Sequence, residues 1–250
     1  MLSAFFAPQG RFEPCGMFTL AHIAAALICV LCVITALYFT RSRFIDNKFL
    51  KLTAIAVTVL ELIKISHSVI YGDHNLDAWF PLSYCGLFIF TLWMAGFCKG
   101  RAKRIGEVFI AYGCPIAGII FLIFPTTSLM IFPIWHYFSI YSLLFHSLMI
   151  FVGISLLKKE KFFGKREFLY YVAFVLTFSI PAFVLNCIFG SNLMNLREPF
   201  NIPIEFFQNL YTTHPLAYSG VVIITFMLIP VVTAMVAGRF KKDNFKEARL

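Results

Sequence analysis

Glu61, Lys64 and His67 follow one another at three-residue steps within a single apolar run. On a helix that spacing lets adjacent members touch, as a structural ion pair or as a relay for protons or a charged solute. Four more groups capable of chemistry stand in other apolar runs: His22, Cys85, His136 and His146. A lone cysteine among apolar residues is ordinarily an inert small hydrophobe; beside a histidine or a cation it becomes a candidate thiolate nucleophile. A lone buried histidine ordinarily bonds a backbone carbonyl, but one that faces a thiol can take its proton. Arg197 lies in a polar stretch, 192–199, together with Asn195. Its guanidinium suits a phosphate or carboxylate, with Glu198 or Glu205 as the plain alternative partner.

Other chemistries fit poorly. No HxxxH or HxxE spacing puts two metal ligands on one helix face, so neither a metal nor another cofactor is expected. Cys29 and Cys32 form a CxxC, yet it lies in an apolar run with no second pair and no nearby histidine, which reads as helix packing. The last apolar run has no lysine to form a Schiff base with retinal.

The elements that hold these residues follow from composition. The chain has 250 residues, 60% of them hydrophobic and 13% charged, with a mean hydropathy of +0.83. A soluble core of this size cannot hide so much apolar surface, which excludes a cytosolic enzyme, a disordered tail and a secreted disulfide scaffold. The net charge of +9 sits in short clusters between apolar runs, with no basic, aromatic-interleaved face that would bind nucleic acid. Membrane lipids are the expected partners.

Runs of about 20 apolar residues are needed to cross a bilayer as helices. Seven are found, at about 17–39, 50–71, 81–98, 105–124, 134–156, 168–189 and 216–237. The expectation is an all-α, polytopic membrane protein: one domain over 1–250, a bundle of seven transmembrane helices in the plasma membrane. Eighteen of the 21 Lys and Arg residues fall in the first, third and fifth connections and the C-terminal tail. The positive-inside rule then places the N-terminus outside and the C-terminus in the cytoplasm. Depth counted from helix ends puts His22, Lys64, His67, Cys85 and His136 in the outer half, with Glu61 and His146 near the middle. Pro81 would occupy the first turn of the third helix, leaving Cys85 about one turn below the outer surface.

Taken together, the opening Pro81-Leu82-Ser83-Tyr84-Cys85, the aromatic run ending in His146 and the 192–199 stretch resemble the YwaF-type integral membrane family of bacteria. The opening is similar to a Leu-Pro-Leu-His-Leu-Cys pattern there; Ser83 replaces its histidine, and His214-Pro215 stands where a Trp-rich segment is usual. Animal relatives of that family are lipid acyltransferases. The resemblance implies a Cys nucleophile at Cys85 with a His partner at His146, and His136 is the reserve base. Lys64 or Arg197 would hold a phosphate, with Glu61, His67, His22 and Asn195 lining the substrate site. A transporter or small-solute channel working through Glu61, Lys64 and His67 is the alternative.

Overall fold

The computed structural model describes residues 2–40, 45–72, 76–159, 164–199 and 204–247, with side chains as far as residue 238. Arg41, Arg43 and Lys161 and the basic side chains of the C-terminal tail, all counted above for orientation, lie outside the described part. Every regular element among the described residues is helical. In chain order they are α1 (Leu2–Phe5), α2 (Leu20–Phe39), α3 (Asn47–Ile70), α4 (Leu76–Trp79), α5 (Leu87–Phe97) and α6 (Gly100–Ile123). They continue as α7 (Tyr137–Lys159), α8 (Lys165–Phe189), α9 (Glu205–Thr213) and α10 (Pro215–Glu247).

Five of these are long and apolar enough to cross a bilayer: α2, α6, α7, α8 and, over Pro215–Gly238, α10. The expected seven therefore reduce to five on this measure, for two physical reasons. The α3 helix has the length, but Lys48, Lys51, Glu61 and Lys64 dilute its apolar character. The third expected span, 81–98, is helical only over the 11 residues of α5, about 17 Å at 1.5 Å per residue and half a hydrocarbon core. Pro81 is not in a first turn. Between Phe80 and Gly86 the chain turns instead, with the Ser83 hydroxyl accepting from the Gly86 N–H at 2.9 Å. An ideal Cβ on Gly86 would stand 2.3 Å from the Pro81 carbonyl oxygen, so only glycine fits this turn.

The bundle is built around α6, whose apolar window is 78% buried against 11% for the peripheral α2. Small residues let its neighbours approach, since lipid gives apolar helices no hydrophobic reason to associate. Gly106 lies against Thr91 and Ala95 of α5, and Gly118 against His146 and Ile150 of α7. On α7, Gly153 makes room for the Pro115 ring of α6. Three basic connections meet at one end. Gly96 abuts the Lys51 backbone, the Lys159 ammonium donates to the Ile45 carbonyl at 3.4 Å, and Arg104 pairs with Glu167 at 3.2 Å. Residues 2–19 close the opposite end.

Candidate functional site

Two groups of polar residues occupy the bundle. The first lies between α3 and α7. Buried Glu61, 6% exposed, has its carboxylate 2.6 Å from the Lys64 ammonium and accepts the Tyr141 hydroxyl at 2.5 Å. One turn earlier, Tyr137 donates to the Leu60 carbonyl at 2.6 Å and stacks on Tyr141. Both carboxylate oxygens thus have donors, as burial of a charge requires. The second i,i+3 pair, Lys64 with His67, gives no bond; His67 turns to the N-terminal segment instead.

The four histidines differ in what their two ring nitrogens do, and the hydrogen-bond network assigns each tautomer. His136 Nδ1 accepts the Phe138 N–H at 3.2 Å, so Nε2 carries the proton and donates it to the Ala7 carbonyl at 3.0 Å. His22 is bound the same way: Nδ1 accepts from Phe18 N–H at 3.0 Å, and Nε2 donates to Leu122 O at 3.0 Å. Neither has a lone pair left. His67 gives its Nε2 proton to the Phe6 and Ala7 carbonyls at 3.1 and 3.2 Å. In His146, Nδ1 donates to the Ser142 carbonyl at 2.7 Å while the ring lies flat on Phe121, 3.6 Å between centroids. Its Nε2 is therefore an acceptor, with no bond among the described residues.

The second group surrounds Cys85. The segment 80–86 is non-helical backbone inside the bundle, a conformation tolerated at membrane depth only where protein covers it. Its cover is the segment after α8. Gly190 ends α8 with φ +67°, and Met194 N–H then donates to the Leu82 carbonyl at 3.1 Å. Buried Asn186 splints that segment: its amide donates to Leu193 O at 3.0 Å and its carbonyl accepts Leu193 N–H at 2.7 Å. Tyr218 and Ser219 of α10 donate to Asn195 O and Leu196 O at 2.8 and 2.6 Å. The Asp77 carboxylate accepts Asn192 N–H at 2.9 Å. Within this brace Met194 and Asn195 hold φ of 56° and 53°, left-handed values that non-glycine residues adopt only where the surroundings impose them. The Arg197 guanidinium donates to the Gly190 carbonyl, not to Glu198 or Glu205.

Tyr84 anchors the segment. Its hydroxyl reaches Gly113, at the middle of α6, where a Cβ would stand 2.5 Å from it. It also bonds the Tyr171 hydroxyl of α8. Pro230 in α10 has no N–H, so the Phe226 carbonyl loses its helical donor; Tyr171 supplies one at 3.1 Å. Since Tyr171 donates there, it accepts from Tyr84, and the chain runs Tyr84 to Tyr171 to Phe226. Cys85 accordingly lies in the turn just before α5, near the middle of the bundle and deeper than counting from Pro81 implies. The residue is half-buried and its thiol makes no hydrogen bond among the described residues. Phe88, one turn on, packs edge-on against Phe145, the neighbour of His146 in α7.

Sequence spacing did not reveal Tyr141, the Tyr84–Tyr171 pair, Asp77 or Asn186. For Asn186 the signal was there, because a carboxamide in an apolar span needs a partner. Residues 17–232 match the model of the TMEM164 family. No curated protein and no solved structure matches the chain.

Proposed function

The chain belongs to the TMEM164 family of transmembrane proteins, and we propose that it is a lipid acyltransferase that works through a Cys85 thioester. The observation that carries the reading is the tautomer of His146: Nδ1–H is committed to Ser142 O, so Nε2 is left to accept a proton. His22 and His136 have both nitrogens engaged and are not bases on this reading. The resemblance of the 81–85 opening and of the aromatic run ending at His146 to the YwaF-type family supports the same pair. We place the basic end of the bundle in the cytoplasm of a plasma-membrane protein, with α3 and α5 completing seven membrane-embedded helices.

His146 Nε2 takes the Cys85 proton, and the thiolate attacks the ester carbonyl of a phospholipid. The C–O bond breaks, the lysolipid alkoxide receives the proton from His146, and the acyl group remains on sulfur. A second lysolipid hydroxyl, deprotonated by the same nitrogen, attacks the thioester and regenerates the thiol. No redox partner is needed. The unbound thiol makes no hydrogen bond among the described residues, and this reading requires substrate binding to bring it to His146, as catalytic hydrogen bonds tighten in the bound complex. On this reading Lys64, which Glu61 holds, takes the phosphate. Of the other expected substrate contacts, His22 and His67 hold backbone, while Asn195 and Arg197 shape the brace over Leu82.

The test is a hydroxylamine-labile acyl group on Cys85, read by peptide mass spectrometry after incubation with phospholipid in nanodiscs. The label is expected in the native chain and in His136→Ala, absent in Cys85→Ser, and formed at least about 100-fold more slowly in His146→Ala. An unlabelled native chain whose Glu61→Gln variant stops solute uptake into vesicles would replace this reading with transport.

A further inference from the structure

At the basic end, away from Cys85, α8 and α10 diverge around a lateral groove of about 530 Å³. Its apolar walls are Phe168 and Leu169 of α8 and Pro230, Val231 and Ala234 of α10, and Tyr112 of α6 and Lys165 also line it. The volume is that of a small-molecule site, and the lining has the usual form: mostly apolar, with one placed charge. Phe168 and Leu169 are 38% and 63% exposed, so the groove opens sideways toward the hydrocarbon. Both helices bury little of their apolar windows, 28% for α8 and 22% for α10. Lys165 has no ion pair or hydrogen bond among the described residues, unlike Arg104, which is matched by Glu167.

We propose that this groove holds one anionic phospholipid of the bilayer, with an acyl chain along α8 and α10 and the phosphate at Lys165. An apolar trough lined by one cation matches an amphiphile of opposite net charge: a soluble anion leaves the trough empty, and in a zwitterionic lipid the choline offsets the attraction of the phosphate to Lys165. The inference needs the membrane setting but not acyl transfer. A resident lipid here is a structural ligand, retained whether or not Cys85 turns over.

The test reconstitutes the full chain in vesicles of equal parts phosphatidylglycerol and phosphatidylcholine, extracts it in mild detergent and counts retained lipids by native mass spectrometry. One phosphatidylglycerol is expected to remain, preferred about fivefold over phosphatidylcholine, the effect of one lysine near a lipid phosphate. Lys165→Gln should keep the lipid but bring the ratio close to one. Ala234→Trp, which fills the trough, should lose the lipid while its melting temperature in pure phosphatidylcholine stays native. Lys158→Gln, outside the groove, should keep the preference. Equal retention of the two lipids by the native chain would overturn the proposal. So would an unchanged ratio in Lys165→Gln, or an equal loss of preference in Lys158→Gln.

Discussion

Glu61 shows how much a single carboxylate organises when it is buried. Lys64 and Tyr141 both bond it, and removing it leaves a partly buried ammonium and a phenol without acceptors. Glu61→Ala is expected to cost about 3 kcal/mol, the low end for breaking a buried pair, because Lys64 keeps some contact with solvent. Tyr141→Phe is expected to cost about 1–2 kcal/mol, as one hydrogen bond to a charged group. Because both remove the same interaction, the double variant should be little worse than Glu61→Ala alone, which detergent-unfolding midpoints will show. At this scale the sequence disclosed the polar residues but not their partners. Glu61 and Lys64 announced each other by spacing. The histidines did not, since they bind carbonyls of Ala7, Leu122 and Ser142, and a carbonyl has no side-chain signature.

Among the elements, α2, α6, α7, α8 and α10 were legible as apolar runs, with limits within five residues of those observed except at the end of α10, which continues ten residues past its apolar run. The third run was not. Hydropathy continues unbroken from 80 to 98, while Pro81, Ser83 and Gly86 break the helix through local hydrogen bonding that hydropathy does not register. The glycines give a sharp contrast between elements. Gly113→Ala would press a methyl group against the Tyr84 hydroxyl and the Tyr171 ring and should destabilise by about 1–3 kcal/mol, as overpacking does. Gly220→Ala meets nothing within 4 Å in α10 and should stabilise by about 0.5–1 kcal/mol through helix propensity alone. Thermal unfolding of the two variants in one detergent checks both signs.

For the molecule as a whole, residues 2–19 pack into the bundle. Ala7 is 1% exposed, and its carbonyl accepts hydrogen bonds from two imidazoles. Cys15 and Gly16 donate to Phe132 and Leu129 carbonyls at 3.0 and 2.8 Å, and Phe12 packs on Trp135. In the His67→Ala, His136→Ala double variant this clasp should open: trypsin should cut after Arg11 faster than in the native chain, while the helical circular dichroism is kept. Equal cutting rates would mean that the other contacts suffice. Nothing in composition foretold this arrangement, because it joins residues about 60 and 129 positions apart through main-chain oxygen.

The missing amide of Pro230 has an effect far from its own helix. It makes the Phe226 oxygen seek a phenol, that phenol seeks a second, and the second belongs to the residue preceding Cys85. The last helix and the turn that carries Cys85 are thereby mechanically geared together, and restoring an ordinary amide at position 230 would uncouple them without touching either tyrosine.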